Sequence, residues 1–148
     1  MIRVQTQDFN VNDEYQALVT NNSADGAIVT FVGQVRDQNL GQDVVGLHLE
    51  HYPGMTEKAL EKIAQQAFER WELGKVTIIH RVGDLMLGDQ IVFIGVTSKH
   101  RKNAFEACEF IIDYLKVSAP FWKKELTTQG QTWLDARESD EQQVNKWS

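Results

Sequence analysis

Three runs decide the fold: Val76-Thr77-Ile78-Ile79-His80-Arg81-Val82, Leu87-Gly88-Asp89, and Ile91-Val92-Phe93-Ile94-Gly95-Val96-Thr97. The outer two are dense in β-branched and apolar residues and read as strands; the middle one reads as a turn. Helical spacing comes next. From about His100 to Ser118, Ala104, Cys108, Ile111 and Leu115 share one side, with Phe105 and Ile112 beside them, and Pro120 prevents continuation. Upstream, Leu60, Ile63, Ala64, Ala67, Phe68 and Trp71 form a second apolar stripe, opened by Pro53-Gly54 and ended by Gly74. Val45 to Tyr52 alternates, with Val45, Leu47 and Leu49 opposite Gly46, His48 and Glu50, as a strand with one buried face does.

Ala27 to Val32 reads as a buried strand that runs through Gly33 to Val35-Arg36, and Asp37 to Asp43 as a loop. Ile2 to Gln5 suits a short first strand and Val11 to Val19 a loose helix. After Pro120, Phe121 to Thr127 is expected to be extended, Gln129-Gly130 to turn, and Trp133 to Ala136 to return as a hairpin. Ser98 is the expected cap of the His100–Ser118 helix, and the polar stretch from Glu138 to Ser148 is expected to be loose or partner-dependent. The result is an α+β fold in one domain, residues 1–148, with two main helices on a mixed or antiparallel sheet and an extra β segment.

Composition narrows the function classes. The 148 residues suffice to bury roughly two-thirds of the unfolded surface without a disulfide or metal staple. Fifteen Lys and Arg against 21 Asp and Glu give a net charge of -6, which argues against a general nucleic-acid or membrane-surface binder. A small RNA-binding sheet is further disfavoured because no aromatic sheet motif is present. The lone Cys108 lies on an apolar stripe and reads as a core thiol in a reducing compartment. No apolar run has the length of a signal peptide or a membrane span, and the cytoplasm is the expected location.

Local basic excess is the chemical signal. Between Lys99 and Lys124 stand six Lys or Arg against three acids. His100 and Arg101 fall at a helix start, the end where the dipole disfavours cations and where free N–H groups bind phosphate or carboxylate. A solvated basic turn is the plain alternative. Lys116 sits in a last helical turn, where a cation is ordinary. Lys123 lies beyond Pro120, whose corner allows both ammonium groups to face one pocket. Arg36 ends a strand and suits bidentate phosphate contact, although a lone Arg there is commonly a surface residue. Glu50 and His51, before Tyr52-Pro53-Gly54, read first as a structural turn. His48, His51 and His80 show no metal-ligand spacing, so no metal site is expected.

Longer motifs carry a resemblance. Phe31-Val32-Gly33-Gln34-Val35-Arg36, Leu49-Glu50-His51-Tyr52-Pro53-Gly54-Met55, His80-Arg81-Val82-Gly83, Gly95-Val96-Thr97-Ser98, His100-Arg101, and Asp113-Tyr114-Leu115-Lys116 through Ala119-Pro120-Phe121-Trp122-Lys123-Lys124-Glu125 resemble the large, catalytic subunit of molybdopterin synthase. The resemblance implies an α/β hammerhead-like domain with an added β subdomain. It implies sulfur transfer to cyclic pyranopterin monophosphate, precursor Z, building the dithiolene of molybdopterin. The sulfur donor it implies is a thiocarboxylate on the C-terminal Gly-Gly of a small ubiquitin-like subunit, within a heterotetramer built on a homodimer of the large subunit. By position, Lys116 and Lys123 are the implied catalytic residues. Arg36, His100 and Arg101 are implied phosphate and pterin contacts, with Gln34, Val35, Lys124, Glu125 and Arg137 around them. Gln34 and Lys124 depart from the lysine and arginine seen in some relatives, so each offers weaker anion contact. No cofactor is implied, and the pocket lies near the dimer interface, where two chains can contribute. A non-catalytic phosphate-ligand or assembly module is the alternative function.

Overall fold

The computed structural model describes residues 1–36, 38–39, 42–128, 130–134 and 138–147, with side chains at all of these but 38–39, 42–44, 132, 134 and 138–139. A four-stranded sheet has the order β1-β5-β7-β2, from Ile2–Gln5, Val76–Arg81, Gln90–Ser98 and Ala27–Gln34. β1 runs parallel to β5; the other pairs are antiparallel, so the sheet is mixed.

β5 and β7 read as unbroken apolar runs because both of their faces are covered. Ile78, Ile94 and Val96 pack under α2 (Met55–Arg70) and α3 (Arg101–Ser118), with Leu60, Ile63, Ala107, Phe110 and Ile111. Successive side chains point to opposite faces, so Ile79 and Phe93 meet Phe9 and Leu18 of the α1 side (Val11–Val19). Gly95 permits that approach: a Cβ there would stand 2.5 Å from Leu18 Cδ1.

The second sheet is antiparallel. β3 (Gln38–Asn39) pairs with β4 (Gln42–His51), β4 with β8 (Phe121–Thr127), and β8 with β9 (Gly130–Leu134), while β6 (Gly83–Met86) adds to β4. Val35, Leu49, Val82 and Leu85, with Phe121 packed on them, form a core cluster against this sheet. The α+β arrangement with an extra β subdomain is thus as expected from sequence.

Several local expectations are corrected. The expected loop from Asp37 to Asp43 holds the β3–β4 pairing, although residues 37, 40 and 41 lie outside those described. β6 is unexpected, because a four-residue strand with one buried side chain, Leu85, is too short for a periodic signal. Ser98 does not cap α3. It remains in the β7 ladder opposite Ala27, its hydroxyl donates to the Glu72 carbonyl at 2.8 Å, and His100 takes the cap position. The hairpin after Pro120 forms, but its second strand is Gly130–Leu134; Ala136 lies outside the described residues. The stretch expected from sequence to be loose or partner-dependent contains helix α4 (Glu138–Asn145). Beyond α4, Trp147 docks on α2 and α3. Its indole donates to Asp113 at 2.7 Å, its carbonyl accepts from Arg70 at 2.9 Å, and its ring meets Trp71 and Phe110 edge-on.

Candidate active site at the two ends of the long helix

α3 begins directly after β7, with only Lys99 and His100 between them, and packs back across β7 and β2. Its 18 residues span about 27 Å, so its ends lie toward opposite ends of those strands. The basic residues singled out from sequence divide between those ends.

At the C-terminal end, Lys116 occupies the last turn and β8 starts at Phe121. Register places Phe121 opposite His51 and Lys123 opposite Leu49. Leu49 is buried, so alternation puts Phe121, Lys123 and Glu125 on the inward face with Leu47, Leu49 and His51. Lys123 is half-buried and Glu125 buried. Trp122 and Lys124 fall on the outward face. There the Lys124 ammonium lies 4.5 Å from the Trp133 ring centre, and Lys124 stands opposite His48, whose ring bonds Asp84 at 2.6 Å and Glu50 at 3.2 Å. Lys123 and Lys124, adjacent in sequence, therefore serve different surfaces.

Two histidines line the inward face. His80 ends the apolar part of β5, and its ring stacks on Phe121 with centres 3.9 Å apart. Its Nδ1 lies 2.8 Å from the Arg81 carbonyl, which can only accept, so Nδ1 carries the proton and Nε2 the lone pair. Burial drives the ring's pKa down to about 3; the Arg81 carbonyl opposes this, and the charges of Lys116, Lys123 and His51 reinforce it. His51 Nδ1 lies 3.2 Å from Thr56 Oγ1. That hydroxyl donates its own proton to the Tyr52 carbonyl at 2.8 Å, so His51 is the donor to Thr56 and its neutral form exposes Nε2 as acceptor. From sequence, His51 is read first as part of a structural turn, and His80 is set aside because it has no metal-ligand spacing; the available signal for His80 is its place at the end of an otherwise apolar strand.

Arg36 shares this end. β2 runs antiparallel to β7, and Gln34 pairs with Gln90 after a register shift, so the residues after β2 emerge where β7 begins, the end at which His80 faces Val92. Gln34 and Arg36 are exposed. Val35 is not: its side chain joins Leu49, Val82 and Leu85 in the core, and its backbone bonds Asp89 and Gly88 at 2.9 and 2.8 Å. Arg137 lies outside the described residues.

The N-terminal end of α3 is open. His100 caps the helix by its backbone without a side-chain bond to it; His100, Arg101 and Lys102 are exposed, and no acid stands in the first turn. Free N–H groups open there and three basic side chains stand around them, an arrangement that can attract an anion. Lys116 stands sixteen positions after His100, about 24 Å along the axis. Within one chain, the structure brings Lys116, Lys123, His51 and His80 together, with Arg36 at the same sheet end, and leaves His100 and Arg101 at the other. Cys108 is a core residue between them, its thiol pushed up to about 12, chiefly by burial.

The model of the family described as MoaE protein matches residues 4–118. A Vibrio cholerae protein named molybdopterin synthase catalytic subunit is 61% identical over 146 residues, 99% of this chain and 97% of its own. The solved Burkholderia ambifaria molybdopterin biosynthesis MoaE protein aligns at a TM-score of 0.85 with 52% identity, covering 99% of this chain and 97% of that one. A Helicobacter pylori structure, described as a protein–protein complex of subunits 1 and 2 of molybdopterin-converting factor, shares the fold at 0.76 with 24% identity, over 92% and 91%. With a family model spanning most of its length and relatives matching nearly all of it, the chain belongs to the MoaE protein family.

Proposed function

We propose that this chain is the sulfur-transferring, catalytic subunit of a molybdopterin synthase, acting through Lys116 and Lys123. The observation that carries this reading is the meeting of those two lysines at one end of α3, beside a buried neutral imidazole. The family supplies the enzyme class and its place in molybdenum cofactor biosynthesis. The donor is a thiocarboxylate at the C-terminus of a small ubiquitin-like subunit, and the acceptor is cyclic pyranopterin monophosphate. Two ammonium groups suit that donor: they attract its anionic end, stabilise charge that develops on its acyl oxygen, and exchange protons as sulfur moves. Arg36, with Gln34 near it, contacts substrate at the lysine end. Glu125 supports Lys123 from the same face, while Lys124, on the outward face beside Trp133, stands apart from the site.

His100 and Arg101 bind the phosphate. Because one chain holds them about 24 Å from Lys116, the working site joins the anion-binding end of one copy to the lysine end of a second, in a homodimer that carries a small subunit at each site. Among the described residues no helix is long and apolar enough to cross a membrane, and a buried free thiol suits a reducing cytoplasm.

The test is turnover. Lys116→Ala and Lys123→Ala, given thiocarboxylated small subunit and precursor, should lose dithiolene formation by about 100-fold or more, read by mass spectrometry of the pterin, with the circular dichroism unchanged. Full turnover by the Lys116 variant would overturn this reading and leave a binding module in its place.

A further inference from the structure

We infer that His80 is a positioning residue for the lysine site: stacked under Phe121 and tied to the Arg81 carbonyl, its ring sets where β8 begins and so where Lys123 stands relative to Lys116. This rests on the reading of the two lysines as the reactive pair, and it adds a residue whose chemistry is not used in the transfer itself.

The geometry makes the argument. Only six residues, Val117 to Trp122, separate the lysines, and they turn a corner at Pro120. The corner has few fixed points. Inside it, the Phe121 amide donates to the Ala119 carbonyl at 2.9 Å, and Phe121 pairs with His51 on β4. Ala119 packs on the core cluster under the first sheet and Phe121 on Val35, Leu49, Val82 and Leu85, but these are apolar contacts without direction. The contact that fixes the Phe121 ring plane against the first sheet is its stack on His80, with ring centres 3.9 Å apart and planes at 21°. His80 cannot drift, because β5 is laddered on both sides there, to Val4 of β1 and Val92 of β7. The bond from Nδ1 to the Arg81 carbonyl sets the ring plane. Phe121 and Lys123 share a face two residues apart, so any rotation or retreat of Phe121 carries Lys123 with it.

A histidine suits this post better than its charge suggests. The groups facing it are Lys116 from α3, Lys123 from β8 and His51 from β4, and a cationic ring would repel all three when they are protonated. Burial keeps the ring neutral, so it packs like an aromatic residue while Nδ1 serves the Arg81 carbonyl.

Three variants separate the ring from its polar tether. His80→Phe keeps the stack, His80→Asn keeps a donor but not the ring, and His80→Ala keeps neither. Measured below the unfolding temperature of each, the Ala and Asn variants should lose kcat by roughly 30-fold, the scale on which ångström displacements act, with KM for the pterin within about twofold. The Phe variant should recover to within about fivefold of wild type. A wild-type kcat in His80→Ala would overturn the inference, as would recovery by Asn and not by Phe. A second readout needs no turnover. Labelling of Lys123 by an amine-reactive ester, read by peptide mass spectrometry against exposed Lys62, should rise about threefold or more in His80→Ala, as expected for a half-buried amine released to solvent, and return toward wild type in His80→Phe. Unchanged labelling would count equally against it. If Lys116→Ala and Lys123→Ala were fully active, the sulfur-transfer reading would fail while the labelling still decided whether His80 positions Lys123.

Discussion

The two ends of α3 carry the same sign of charge and meet opposite physical circumstances. At the C-terminal end the helix dipole favours Lys116, whose side chain is exposed, and the lysine site is backed by buried His80, half-buried His51 and the inward face of β8 with half-buried Lys123. At the N-terminal end the dipole opposes His100, Arg101 and Lys102, which stand in solvent with no neighbouring acid in the first turn. One end is preorganised by the core before any ligand arrives. The other is left electrostatically incomplete until an anion, and in the proposed enzyme a second chain, comes to it. Whether a helix dipole supports or opposes a cation is decided here by position on the helix rather than by residue type.

The separation of the ends can be broken most decisively by complementation. Lys116→Ala and Arg101→Ala homodimers should each be inactive. Unfolded and refolded together, they should form mixed dimers in which one site of two is intact, giving about a quarter of wild-type turnover if reassembly is random. Background activity in the mixture would mean that both residues serve one chain's site, against the long span of α3.

The burial of His80 behind the lysine end has a pH signature. The His80 ring titrates near 6.5 when free and near 3 when folded, so between these values the unfolded chain binds the extra proton. Stability should therefore fall as pH drops from 7 toward 3, by up to about 1.4 kcal/mol per unit from this group, with no further loss from it below that. Urea midpoints at pH 7 and 4.5 should fall more steeply for wild type than for His80→Phe. Parallel slopes would show that the ring is hydrated.

The smallest effect sharpens the picture at the open end. Arg101→Glu should stabilise the fold by about 0.3–1 kcal/mol at low salt, since it replaces a disfavoured cation with an anion at the helix start. The same change should raise KM for the phosphate-bearing substrate. A neutral or destabilising result in thermal unfolding would mean that the Arg101 side chain already escapes the dipole into water.

Much of this was legible in the residues. The apolar runs around Ile78 and Ile94 required a covered sheet, the stripes on α2 and α3 required helices upon it, and the lysines after Leu115 and Trp122 stood out in an acidic chain. Cys108 was assigned to the core by its helical phase alone, and the core is where it lies. Long-range partners were not legible. Leu85 makes β6 a strand only because β4 is there to pair with it, and the polar C-terminal stretch docks because Trp147 finds Asp113, Arg70 and two aromatic rings, Trp71 and Phe110.

By itself, then, the sequence determined the two main helices and the longer strands, because periodicity records which side of each such segment must leave water, and it determined which residues carry positive charge. Only the tertiary structure decided how those charges are grouped. It placed Lys123 inward and Lys124 outward, brought His51 and His80 to the lysines, and set His100 and Arg101 a helix length away. The reason is physical: alternation on a strand is local, whereas the neighbours of a side chain depend on strand register and on the direction in which a helix packs back, both of which are set by contacts distant in sequence.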